Sequence, residues 1–92
     1  MTVTLEGYID VPEPQQMAVR IALPTHIRLT REEPGCLRFD VTEDADTPGR
    51  FHASEAFLNA AAFDAHQTRA QASDWAKVSA DAERHYQVTG LS

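Results

Sequence analysis

His66 is the side chain of this sequence best suited to acid–base chemistry. Imidazole titrates near neutral pH, so a histidine can take a proton from a substrate hydroxyl and later return it. A structural interpretation is also open, in which His66 bonds a backbone group or a carboxylate and only holds a helix to a sheet. The catalytic interpretation requires a cavity beside the imidazole.

Glu55 lies on the apolar phase of a predicted strand at residues 51–57. An unpaired carboxylate on a buried face costs free energy, so an acid in this position needs a partner or a function. A functional Glu55 would orient His66 or bind a substrate hydroxyl. A structural Glu55 would pair with Arg38 or another arginine, and we favour this second interpretation.

Four aromatic side chains could line a pocket that accepts a flat ring. They are Phe39, Phe57, Phe63 and Trp75. The alternative is that these rings form the core of a small domain, and that alternative is stronger for Phe39 and Phe63. Trp75 lies in a less regular helical segment.

The sequence predicts no metal site. Its four histidines lack the short His-x-His or His-x-x-x-His spacing of many metal centres, and His26 and His52 are expected to be surface or packing residues. Residues 44–55 nearly match a calcium-binding loop, but Pro48 takes the place of a ligand and the flanks have strand character. We therefore predict a hairpin turn at residues 44–49.

Composition limits the class of partner. The chain has 92 residues, which predicts a single domain at 1–92 whose thin core would gain stability from a second copy. Eight basic and fourteen acidic residues give a net charge of −6, which argues against nucleic acid and anionic membrane surfaces. Cys36 is the one cysteine and is expected to be structural. The absence of a disulfide and of a signal peptide favours a cytoplasmic location.

Hydrophobic periodicity predicts the elements that must position these residues. Alternating strands are expected at residues 2–11, 36–43, 51–57 and 84–91. One helix is predicted at 13–31, where Pro24 would bend it or divide it in two. A second begins at the cap Asn59 and continues through His66, and Ser73-Asp74 could cap a further segment.

The resulting order, β-α-β-β-α-β, predicts an α+β ferredoxin-like fold. This arrangement has an antiparallel sheet with both helical regions on one face.

In this order, residues 33–39 (EPGCLRF) form a helix-to-strand junction, Arg50-Phe51 follow a turn, and Glu55, Phe57 and His66 come next. The ordered set, over roughly residues 2–91, resembles the antibiotic biosynthesis monooxygenase family. The resemblance implies a homodimer whose sheets face each other in an α/β barrel, with a pocket between sheet and helices in each subunit. It also implies oxidation of a phenolic or quinol-like aromatic molecule by O2 without metal or flavin, with His66 as the catalytic base.

The same resemblance argues against haem degradation. That branch of the family uses an asparagine where this chain has Gly7, a tryptophan where it has His66, and a second-helix histidine that is missing here. A non-catalytic dimeric binding or accessory protein stays open, as does another reaction such as lactone isomerisation or decarboxylation. Fold alone cannot choose between them.

Overall fold

The strands and helices of the computed structural model, which describes residues 1–91, follow the predicted order. The elements are β1 (Val3–Asp10), α1 (Glu13–Arg31), β2 (Cys36–Glu43), β3 (Arg50–Phe57), α2 (Ala60–Gln71), α3 (Asp74–Val78) and β4 (Glu83–Thr89). The α+β ferredoxin-like prediction is confirmed. The second helical region is divided near Ser73, although its hydroxyl donates back to the carbonyl of Ala70 and does not cap α3.

The four strands form one antiparallel sheet in the order β2-β3-β1-β4. The register places Leu5 of β1 and Phe39 of β2 on either side of Glu55 in β3. Because side chains alternate across a strand, these residues share one face of the sheet. A shift in register between Cys36 and Arg38 makes a bulge near the start of β2, which is an edge strand.

The hydrophobic core lies between that face and the helices. From the sheet it takes Val3, Leu5, Ile9, Phe39, Val41, Phe51, Ala53 and Phe57, and from the helices Val19 and Phe63. The apolar phase of the predicted strands thus faces α1 and α2, except at the start of β2, where the bulge leaves Leu37 57% exposed and Cys36 packs against the core. Burial of this apolar area is the main favourable contribution to folding.

The opposite face of the sheet is polar. Arg50 lies over the ring of Tyr8, with its guanidinium carbon 4.1 Å from the ring centroid, and donates to Asp10 at 2.8 Å. His85 stacks on the same ring at 4.7 Å. No helix among residues 1–91 covers these side chains, since both helical regions pack on the other face.

Pro24 does not divide α1. The helix is continuous from Glu13 to Arg31, so the predicted alternative of two short helices is wrong. A proline in a helix removes its own hydrogen bond, but burial of residues on both sides of it opposes a break. Here Val19 precedes Pro24, and His26 and Thr30 follow it, all buried.

The segment between β2 and β3 is a turn, as predicted. The carboxylate of Asp44 accepts hydrogen bonds from the backbone N–H groups of Asp46 at 2.8 Å and Thr47 at 3.0 Å. Its other oxygen lies 2.7 Å from Nε2 of His52, which is an exposed surface residue. The carboxylate thus stabilises the turn itself.

Gly7 allows β1 and β4 to approach closely. Its φ angle is 152°, and a methyl group at its Cα would lie 2.0 Å from the carbonyl oxygen of His85. Backbone atoms of β4 cannot move aside without breaking the strand pairing. Glycine is therefore required at this position.

We expect Gly7→Ala to lower the free energy of unfolding by about 2 kcal/mol or more, because the added methyl forces the two strands apart. Urea denaturation measures the loss. Thr4→Ala, on the polar face of the same strand, is the matched control and should cost less than about 1 kcal/mol. Equal stability of Gly7→Ala and the native protein would contradict the close approach.

Candidate functional site

The beginning of α2 positions His66. The side chain of Asn59 accepts a hydrogen bond from the backbone N–H of Ala62 at 2.9 Å, so it caps the helix as predicted. Residues three apart lie on one face of a helix, and Phe63 and His66 are the two buried residues of α2. His66 is only 4% exposed.

Glu33, which lies just after α1, holds the imidazole of His66. Nδ1 of His66 lies 2.9 Å from Oε1 of Glu33. Arg69, one turn further along α2, donates from Nε to the other oxygen of Glu33 and from Nη2 to the hydroxyl of Thr30 at 2.9 Å. With a carboxylate as its partner, Nδ1 carries the proton and Nε2 becomes the acceptor. The contact joins α2 to the end of α1 and fixes the direction of Nε2.

Glu55 faces this free nitrogen. Its Oε1 lies 4.0 Å from Nε2 of His66, which is too long for a direct hydrogen bond. The predicted ion pair with Arg38 is wrong, because Arg38 lies on the polar face and donates to Ser54 at 3.0 Å and Glu6 at 3.4 Å. No arginine among residues 1–91 lies within 4.0 Å of the Glu55 carboxylate. Because side chains alternate along β3, Ser54 and Glu55 lie on opposite faces of the sheet. The contacts of Ser54 with Arg38 and Glu6 are therefore separate from the site that contains Glu55 and His66.

Burial and neighbouring charges shift the pKa values of both Glu55 and His66. Burial, and then the charge of Glu33, raises the pKa of Glu55 from its ordinary 4.5 to about 7. Burial lowers the pKa of His66, although the charge and hydrogen bond of Glu33 oppose this effect. Near neutral pH a neutral imidazole therefore faces a carboxyl group that gains and loses a proton in the same range. Acid–base sites in enzymes commonly combine groups shifted in this way.

A cavity of about 330 Å³ opens beside these two groups, and we call it the inner cavity. Its walls include His26, Glu55, His66, Trp75 and Tyr86. The volume is near the lower limit for small-molecule sites, and the walls combine aromatic rings with a few polar groups. A small aromatic molecule would fit such a space.

Of the four aromatic residues predicted to line a pocket, Trp75 lines the inner cavity and the other three do not. Phe39, Phe57 and Phe63 are buried in the hydrophobic core. The rings of Phe39 and Phe57 lie 5.5 and 4.9 Å from the imidazole of His66, measured between centroids. They pack around the imidazole and restrict its orientation.

Three residues of the site were not singled out as functional from the sequence: Glu33, His26 and Tyr86. Glu33 follows a helix as part of an ordinary stop signal, which carries no hint of a distant partner. His26 was expected to be a surface or packing residue, and it is a packing residue that is 5% exposed. Its spacing of four from Thr30 along α1 could have indicated burial.

His26 and Trp75 form a stacked pair at one wall of the inner cavity. Their ring centroids are 4.6 Å apart, with an interplanar angle of 3°. Burial is the main reason that the pKa of His26 falls to about 3, so its ring is neutral at physiological pH. The pair is therefore held by ring stacking between neutral partners.

Among residues 1–91, no group of three or more His, Cys, Asp or Glu side chains is arranged to hold a metal ion. In the same part of the chain, no helix has both the length and the apolar character needed to cross a membrane.

The family model described as antibiotic biosynthesis monooxygenase matches residues 2–78. This range includes Glu33, Glu55, His66 and Trp75. The chain belongs to the antibiotic biosynthesis monooxygenase family. The resemblance noted in the sequence is thereby confirmed, and no curated protein matches the chain.

Solved structures agree with this membership. A candidate antibiotic biosynthesis monooxygenase from Nitrosomonas europaea is 28% identical with a TM-score of 0.75, and the match covers 96% of this chain and 85% of that one. A protein from Mycobacterium tuberculosis is 27% identical with a TM-score of 0.67, covering 97% and 91%. A candidate family member from Deinococcus radiodurans, 19% identical with a TM-score of 0.70 and coverage of 100% and 93%, shares the fold.

The raised pKa of Glu55 predicts a dependence of stability on pH. The protonated group favours the folded state fully below pH 4.5, and this contribution is lost as the pH rises through about 7. We expect the free energy of unfolding, relative to Glu55→Gln, to fall by up to about 3 kcal/mol between pH 4.5 and 8, because glutamine stays neutral. Urea denaturation at several pH values measures the difference.

Glu13→Gln, in the first turn of α1, is the control for the removal of one carboxyl group. It should leave the pH dependence close to that of the native protein. Parallel stability curves for Glu55→Gln and the native protein would contradict the shift.

Proposed function

We propose that this protein is a cofactor-independent monooxygenase that oxidises a phenolic or quinol-like small molecule with O2. One observation carries the proposal: the acceptor nitrogen of His66 faces Glu55 at 4.0 Å on the wall of a cavity lined by aromatic rings. Family membership supports the class of reaction. The residues of the site support the choice of substrate.

In this proposal His66 is the catalytic base. A phenol in the inner cavity gives its proton to Nε2, and the resulting phenolate transfers an electron to O2 more readily than the phenol does. The positive charge on the imidazole is stabilised by Glu33, which lies 2.9 Å from Nδ1. A positioned base that is itself oriented by a carboxylate is a recurring arrangement in enzymes.

Glu55 and Trp75 would bind the substrate. Glu55 lies close enough to His66 for one hydroxyl oxygen to contact both groups. A protonated Glu55 donates a hydrogen bond to that oxygen, and an ionised Glu55 repels the phenolate. Trp75 offers an aromatic wall for the substrate ring. The substrate-binding roles predicted for Phe39, Phe57 and Phe63 become indirect here, since Phe39 and Phe57 pack against His66 and Phe63 packs against Phe57.

The reaction balances without an external reductant. A phenol with an unsubstituted para carbon supplies four electrons to O2. One oxygen atom bonds to the para carbon and becomes a quinone carbonyl, and the other leaves as water with the two hydrogen atoms that the phenol loses. The protein therefore needs only to remove the hydroxyl proton, orient the ring and exclude bulk water.

A non-catalytic binding protein is the second candidate, and one observation favours it. The contacts of Glu33 with His66 and Arg69 join two helical regions, which is a sufficient structural reason for a buried histidine. In that case an aromatic molecule would bind in the inner cavity without reacting. Oxygen consumption separates the two candidates.

We expect the purified protein to consume O2 with members of a panel of phenols and hydroquinones. In His66→Ala, kcat/KM should fall by about 10²- to 10⁴-fold, because a positioned base contributes on that order. An oxygen electrode gives the rates. Asp64→Ala, at an exposed position of the same helix, is the control and should keep the native rate.

Full activity of His66→Ala would remove His66 from the mechanism. If no member of the panel stimulates O2 uptake but the phenols still bind, the binding-protein candidate is correct.

We further propose that the protein is a homodimer in which the polar faces of two sheets pack together. The face that Tyr8, Arg50 and His85 share is left uncovered by the helices, as a barrel of two sheets would require. The proposed partners of the chain are therefore a small aromatic substrate and a second copy of the chain itself.

Light scattering should give a mass in solution that is twice that of the chain. Ser54→Glu is expected to shift the protein toward monomer, because it adds a negative charge beside Glu6 at the centre of that face. Gln15→Glu adds the same charge on α1 and should stay dimeric. A monomeric native protein at micromolar concentration contradicts the proposal.

A further inference from the structure

A groove between α1 and α3 lies next to the inner cavity. We call it the outer groove, and its volume is about 560 Å³. Its apolar walls include Ile21, Ala22, Leu29 and Val78. His26 and Trp75 line both the outer groove and the inner cavity. One stacked pair of rings therefore separates the two spaces.

The closed arrangement of this pair leaves a buried polar atom unsatisfied. Nδ1 of His26 has no hydrogen-bond partner among residues 1–91, although the residue is only 5% exposed. Such an atom raises the free energy of the closed state, because it has lost water and gained no partner. Movement of Trp75 away from His26 would give this nitrogen access to water or to a ligand.

The element that carries Trp75 is short and has fewer buried residues than α1, although Trp75 and Val78 pack against the core. α3 is five residues long, contains no buried residue, and has no side-chain hydrogen bond at its N-cap Ser73. Segments with few buried contacts open at a low cost in free energy. α1, which carries His26, is by contrast a helix of 19 residues with several buried positions. Of the two rings, Trp75 is thus the one that can move.

We propose that the outer groove and the inner cavity together bind one ligand, a phenol that carries an apolar chain. Its hydroxyl and ring lie in the inner cavity beside His66 and Glu55. Its chain passes the position of Trp75 when that ring moves, and lies along Ile21, Ala22 and Leu29. This inference rests on the proposed function for the assumption that the ligand is a phenol. What it adds is that the substrate carries an apolar chain that reaches the outer groove.

Chain length provides the test. Trp75 is the only tryptophan of the chain, so its fluorescence reports binding of 3-ethylphenol and 3-hexylphenol, whose para carbon is unsubstituted, to the unlabelled protein. Both probes offer the same ring and hydroxyl. We expect 3-hexylphenol to bind at least about tenfold more tightly, because each additional buried methylene group favours binding by several-fold.

Ala22→Phe should abolish this preference by filling the outer groove, so that the two affinities differ by about twofold or less. Met17→Phe is the matched control, since Met17 lies on the same helix, is 63% exposed and is not a wall of the groove. It should keep the native preference. Ile21→Asp, at a position 72% exposed, places a charge in the groove and should also reduce the preference. We expect this variant to fold, because the substituted side chain is exposed.

Failure to bind 3-hexylphenol, or equal affinity for the two probes in the native protein, overturns the inference. An unchanged preference in both folded groove variants also overturns it. Oxygen uptake is measured separately. Loss of the preference in Ala22→Phe and Ile21→Asp but not in Met17→Phe supports the two-part site even if neither phenol is oxidised, and that outcome would reject only the proposed reaction.

Discussion

The carboxylate of Glu33 is the contact on which the site depends. It lies close to the core and accepts one hydrogen bond from Nε of Arg69, with Nδ1 of His66 at 2.9 Å from its other oxygen. A buried carboxylate is tolerated only when such partners compensate for the loss of water. Because Glu33 follows α1 and both partners lie on α2, the same compensation aligns the two helices. The imidazole of His66 is thus oriented by the same contact that compensates the charge of Glu33.

The second constraint comes from the sheet. The register that packs Val3 against Phe57 also places Glu55 beside Leu5 and Phe39, where no lysine or arginine of residues 1–91 lies within 4.0 Å of its carboxylate. The sheet thereby holds an acid in an apolar layer, and the helix above it supplies His66, whose Nε2 lies 4.0 Å from the carboxylate. Neither residue needs a flexible loop for its placement. Sites built on strands and helices hold their geometry more closely than sites built on loops.

Periodicity predicted the elements well, because each strand alternates and each helix has a capping or breaking residue near its ends. The continuity of α1 through Pro24 could not be predicted, because it depends on the packing of α1 against β2 and α3, and α3 is distant from it in sequence. The residues of the candidate site also divide into some that the sequence could predict and one that it could not. His66 could be chosen from its residue type and Glu55 from its strand phase. Glu33 could not, because its hydrogen bond joins positions 33 residues apart.

The Arg38 error has a simple physical origin. Glu55 and Arg38 lie on adjacent strands, but the bulge near the start of β2 and the alternation of β3 put their side chains on opposite faces. Alternation in the sequence divides the side chains of a strand between two faces of the sheet, but it does not show which face the helices cover. Only tertiary packing shows that Glu55 belongs to the layer beneath α2.

The bulge in β2 has a further consequence for how the molecule behaves in a crowded solution. β2 and β4 are the two edges of the sheet, and an edge exposes backbone groups that can pair with a strand from another chain. The irregular step between Cys36 and Arg38 interrupts the even ladder that a foreign strand would need. Protection against uncontrolled strand addition is thus present on the β2 side, whereas β4 keeps a regular edge that is open to pairing.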